Sequence, residues 1–169
     1  MGTSTIREET WKTLYEAYYQ ELASESLAAV WERVDIAVMF VVALTATGSA
    51  VAGWTLWSLA GWRVLWVVLA GIASVASVAH GAIRVPSRVK DQGELRGKFS
   101  KVRFDLETFW QELNMGVDVG QAPTRYEELR KQLSDCMAQA HPDILFSKRF
   151  RTSVQKRLND ELKRKEYIK

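Results

Sequence analysis

With one cysteine, two histidines and three prolines, the chain has few residues for several kinds of chemistry. The lone Cys136 excludes an internal disulfide framework and a multi-cysteine zinc site. Its neighbours Leu133, Met137 and Ala140 read as one helical face, which points to a packed thiol rather than a reactive one. His80 and His141 have no acid or cysteine partner nearby in the sequence. There is no phosphate-binding glycine loop, dinucleotide glycine motif, zinc-protease histidine pair, calcium loop or serine nucleophile elbow. No catalytic residue, metal or cofactor is therefore expected, and the chain reads as a non-enzyme. Alternating strand patterns are absent too. The first 35 residues are acidic and tyrosine-rich, so no secretory signal is expected there.

Charge is the most unevenly distributed property. Residues 1–35 hold three basic side chains against seven acidic ones. Residues 36–83 hold a single charge, Arg63, and residues 84–169 hold 19 basic against 13 acidic. The chain thus divides into an N-terminal helix (1–35), an apolar hairpin (36–83) and a C-terminal helical region (84–169).

Inside the apolar block, residues 36–57 are uncharged and residues 64–83 carry only His80 as a titratable group. As helices they would be about 33 and about 30 Å long, close to the hydrocarbon thickness of a bilayer. Neither shows the polar stripe of a soluble helix. The expectation is an all-α membrane protein: a two-span helical hairpin with one helix before it and about three after it. Trp54, Trp57, Trp62 and Trp66 gather around the tip, where indoles favour the lipid–water boundary. Arg63 can extend its charge into the same layer, and Trp31 would anchor the opposite face. Basic residues crowd the exit of the second span (Arg84, Arg88, Lys90), which predicts two cytoplasmic termini in a bacterial inner membrane.

Outside the block, apolar residues recur at helical spacing. The N-terminal seam is Trp11, Leu14, Tyr15, Tyr18 and Leu22, with Thr5 and Glu8 as a capping box, and this helix is expected to run on into the apolar block. Pro86 marks a new start, followed by Leu95, Phe99, Val102, Leu106, Phe109, Trp110 and Leu113. Gly116, Gly120 and Pro123 break the pattern, and a further helix is expected from a Thr124–Glu127 capping box with the seam Tyr126, Leu129, Leu133, Met137 and Ala140. The last helix carries Phe150, Val154, Leu158 and Leu162 on one face. Gly93 and Gly97 sit inside a helical seam, where a hinge or a closely approaching helix would justify them.

Small and hydroxylated residues mark the two apolar runs: Thr45, Thr47, Ser49 and Gly53 in the first, and Ser74, Ser77 and Gly81 in the second. Such faces allow close helix packing. They suit either packing within one hairpin or a homo-oligomer whose hydroxyls line a path, since two spans alone enclose no pore. His80 could belong to an ion pathway, but a neutral imidazole near the cytoplasmic exit is the simpler reading. The basic residues Arg84, Arg88 and Lys90 suit membrane lipid. Lys148, Arg149, Arg151, Lys156 and Arg157 suit lipid, the acidic N-terminal helix, a regulatory protein or an anionic ligand. Nothing reads nucleic-acid sequence.

The helix "WKTLYEAYYQEL", the paired runs with a Trp-rich turn, and the amphipathic "ELRGKFSKVRFDLETFWQEL" together resemble the SLATT family of bacterial two-transmembrane effector domains. That resemblance implies a membrane effector of an antiviral defence system, permeabilising the inner membrane when a partner or nucleotide second messenger signals. A non-conducting membrane scaffold that recruits a partner through its helices is the alternative.

Overall fold

The computed structural model describes residues 3–56, 60–116, 121–140, 143 and 145–165, with 3, 4, 44–63, 65 and 66 described at most by their backbone. All the regular structure in it is α-helical: α1 (Thr3–Leu56), α2 (Ala60–Ile83), α3 (Val85–Asn114), α4 (Ala122–Gln139) and α5 (Lys148–Arg164). The chain falls into two compact units, one of Met1–Leu27 with Asp91–Lys169 and one of Ala28–Lys90.

The first unit packs the start of α1 with most of α3 and all of α4 and α5. Its core follows the expected seams: Leu14, Tyr18 and Leu22 from α1, Phe99, Leu106 and Phe109 from α3, Leu129 and Leu133 from α4, and Leu158 and Leu162 from α5. Trp11 and Trp110 meet at the core's edge with ring centroids 5.3 Å apart. Buried hydroxyls are satisfied within the unit. Thr10 donates to the Ile6 carbonyl at 2.7 Å, and Thr13 meets the Tyr126 hydroxyl at 3.1 Å.

Helix ends in this unit depart from the expected caps. Thr5 lies inside α1, and Thr124 lies in the first turn of α4 after an N-cap at Gln121 that makes no side-chain bond. Pro123, which has no N–H to leave unsatisfied, sits in that first turn instead. Gly116 closes α3 in the left-handed region at φ 70°, as its place in the break suggests. Ser147 caps α5 by accepting from the Phe150 N–H at 3.3 Å. On α4 the register favours Cys136 for burial, so Met137 and Ala140 are exposed. Among the described residues no neighbour lies within 4 Å of a Cβ placed on Gly93 or Gly97, so none of them approaches these glycines closely.

In the second unit, α1 continues unbroken from residue 28, as its lack of proline and early glycine allows. α2 ends where Arg84 takes a left-handed φ of 54° and donates its N–H to the Gly81 carbonyl at 3.2 Å. An L side chain there costs about 1 kcal/mol. α3 then opens with Val85, almost fully buried, and Pro86 in its first turn. Among the described residues no single helix is long and apolar enough to cross a membrane, although Val67–Ile83 and Val85–Asn114 together, as a bent pair, are.

Candidate functional site

Two surfaces carry the residues that the sequence singled out. The first belongs to the Ala28–Lys90 unit. Along α2, Val64, Val67, Val68, Leu69, Ile72, Val75 and Val78 are all exposed, and Val75 and Val78 are 70 % and 71 % open. On α1, Ile36, Met39 and Phe40 are exposed as well. Val68, Gly71, Ile72, Val75 and Ala76 line a wholly apolar groove of about 530 Å³ on α2. Ala73, Ser77 and Gly81 recur at four-residue spacing but do not form one packed face: Ala73 is buried, whereas Ser77 and Gly81 are exposed with Ser74. Thr45, Thr47, Ser49, Gly53, Trp54, Trp62, Arg63 and Trp66 belong to α1 and α2 by backbone, but their side chains lie outside the described residues. Trp57 and His141 lie outside them altogether.

His80 does have an acid partner. Its Nε2 lies 2.6 Å from an Asp35 carboxylate oxygen, both side chains about four-fifths enclosed. Asp35 is on α1 and His80 on α2, 45 residues apart, so local spacing carries no signal for the pair. Trp31, expected as an interfacial anchor, is only 3 % exposed, with the Arg88 guanidinium 5.3 Å from its ring centroid. Neighbouring side chains enclose this indole, so it presents no free edge to a headgroup layer. Arg88 also donates through Nε to the Ile83 carbonyl at 3.2 Å, which ties this basic residue to the turn.

The second surface belongs to the other unit, where the basic residues separate into two sets. One set is neutralised internally. Arg103 pairs with Glu21 and, at 2.8 Å, with Glu107. Arg157 reaches Glu25 at 2.6 Å and Glu161 at 3.3 Å, so this member of the expected ligand patch is committed to internal pairing. Arg96 shares Glu25 at 3.0 Å, and Lys165 meets Glu107 at 3.2 Å and the Tyr18 hydroxyl at 2.5 Å. Burial opposes the Arg103 charge, but Glu21 and Tyr18 outweigh it and hold the guanidinium above its ordinary range. The hydrogen bond to Glu25 does the same for Arg157. Arg157 thus meets the acidic N-terminal helix, one of the readings its cluster suited, through Glu25.

The other set, Lys148, Arg151, Lys156 and Lys163, has no ion pair among the described residues. With Tyr19, Thr152, Gln155, Asn159 and Asp160 these four line an open groove of about 750 Å³ along α5. Arg149 is exposed beside it. At its floor Gln155 donates to the Tyr15 hydroxyl, which donates in turn to Asn159 at 3.3 Å. Cys136 is buried elsewhere in this unit, and burial raises its thiol pKa above the ordinary range. Among the described residues no three His, Cys, Asp or Glu side chains come together as metal ligands would. The chain matches no protein-family model, no curated protein and no solved structure.

Proposed function

We propose that this chain is an oligomeric effector of the bacterial inner membrane, with both termini cytoplasmic, which opens or disrupts the bilayer when its cytoplasmic helices receive a partner or nucleotide signal. The observation that carries the reading is the outward apolar face of α2, from Val64 to Val78, continued on α1 by Ile36, Met39 and Phe40. Each large aliphatic side chain left in water forgoes about 1.5–3 kcal/mol of burial energy. Lipid recovers that energy for a whole row at once. The exposed Ser74, Ser77 and Gly81 favour close contact between copies of α2, and an oligomer is needed to enclose a path. The resemblance to two-transmembrane SLATT effectors supplies the defence context.

Inducible expression with a membrane-potential dye tests the reading. Depolarisation by the chain, alone or with its genomic neighbours, supports it, and polarised cells under both conditions contradict it. A second reading, a non-conducting scaffold, is favoured by the exposed Lys148, Arg149, Arg151 and Lys156, which suit recruitment of an acidic partner. The scaffold keeps its function when Ser74 and Ser77 are replaced by Leu, whereas the pore former loses it.

A further inference from the structure

The basic groove on α5 has features that internal charge pairing does not explain. Arg103, Arg157 and Lys165 each find a carboxylate within their own unit. Lys148, Arg151, Lys156 and Lys163 all line the groove, and among the described residues Asp160 is the only acid lining it with them. Leaving four like charges around one groove raises the local positive potential, which an anion lowers. The helix start adds to it. The first turn of α5 contains no acidic residue and begins Lys148, Arg149, at the end of the helix dipole that already favours negative charge.

We propose that this groove binds a ligand carrying two or more phosphate groups. Arg151 and Lys156 both line the groove but are about 7.5 Å apart along the helix and about 140° apart around it, so a ligand with two or more phosphates spans the two cations better than a single phosphate does. Arg and Lys are the side chains that bind phosphate oxygens most strongly, through charge-assisted hydrogen bonds. Asn159 adds an amide N–H donor, its carbonyl oxygen held by Tyr15 and Gln155, whereas Thr152 donates to the Lys148 carbonyl and Gln155 to Tyr15 and Asn159. Tyr19 closes the α1 side of the groove. Burial raises its phenol above the ordinary range, more than Arg151 lowers it, so it stays protonated as a donor.

The same phosphate chemistry occurs in a soluble polyphosphate ester and in a row of lipid headgroups, and the test separates them. The inference extends the proposed function by naming what the helices would sense. It stands on this unit alone, so it can fail while depolarisation succeeds, or the reverse. The purified full-length chain, in a neutral detergent or in phosphatidylcholine nanodiscs, is titrated with inorganic tripolyphosphate by calorimetry. Amide exchange across Lys148–Arg164 is followed in parallel with nanodiscs containing phosphatidylglycerol. The comparison variants are R151Q/K156Q in the groove and R130Q/K131Q on α4, which remove equal charge.

A soluble ligand predicts tripolyphosphate binding that weakens at least tenfold in R151Q/K156Q and less than twofold in R130Q/K131Q. A lipid source predicts no calorimetric binding but slower exchange in anionic nanodiscs, lost in R151Q/K156Q alone. Absence of both effects, or equal weakening in the two variants, overturns the site. Both pairs are exposed, and an unchanged melting temperature confirms that each variant is folded.

Discussion

The two units handle their apolar side chains in opposite ways. In the unit built from Met1–Leu27 and Asp91–Lys169, Phe99, Phe109, Leu14, Leu106, Leu158 and Leu162 are almost wholly enclosed, and the charges around them are largely paired. In Ala28–Lys90 the described large aliphatics of α2 point outward, and the enclosed groups include Trp31, Ala73 and the Asp35–His80 pair. Both are helical, so secondary structure does not distinguish them. What differs is how much large apolar surface each leaves open among the described residues.

The strongest way to break that contrast is a pair of truncations. Phe99→Ala removes a fully buried ring and should cost about 3–5 kcal/mol in denaturant unfolding followed by circular dichroism. Val75→Ala, at a position 70 % exposed, should change the same transition by less than about 0.5 kcal/mol. Equal losses would erase the distinction. Charge pairing gives the next largest effect. Arg103→Met strands Glu21, while Glu107 keeps Lys165 and the Tyr18 hydroxyl, in a site where Arg103, Glu21 and Glu107 are at most 16 % exposed, at about 3 kcal/mol. Adding Glu21→Gln should recover part of that loss. Additive losses in the double variant would show that the pair is not coupled.

Smaller changes sharpen the comparison. Gly93→Ala and Gly97→Ala enter open space on α3 and should each stabilise the chain by about 0.5–1 kcal/mol. A loss in thermal melts would reveal a hinge or a close helix contact after all. The smallest effect is at Lys165. Burial opposes its charge, but Tyr18 and Glu107 raise its pKa above 10.5. A raised cation contributes stability that is fully present below the unfolded pKa and lost as pH rises through the folded one. Solvent screening leaves a few tenths of a kcal/mol. Lys165→Met should therefore lose slightly less stability than the native chain above pH 10.5, and an identical alkaline profile would remove the pairing.

The seams of the first unit were legible because α3 and α5 place apolar residues at steps of three and four, and Leu95 to Phe109 and Val154 to Leu162 fall inside as expected. The cap signals at Thr5 and Thr124 misled because each residue lies inside a helix that begins earlier. Ser147 was overlooked because no Glu or Gln follows three residues later. The basic clusters gave no indication of which members would be paired. That depends on which carboxylate α1 brings alongside: Glu25 meets Arg157, while Arg151, six residues earlier, lines the groove and makes no ion pair among the described residues. The Asp35–His80 contact was hidden for the same reason, since 45 residues and a turn separate two groups that local spacing treats as unrelated.

The outward face of α2 is tested most directly by fractionating cells that express the full-length chain and washing the membranes with alkaline carbonate. If lipid solvates Val64 through Val78, the chain stays in the membrane pellet and is released by detergent alone. Recovery as a monomer in the detergent-free supernatant would mean that those side chains meet water or fold against protein, and membrane insertion would be wrong.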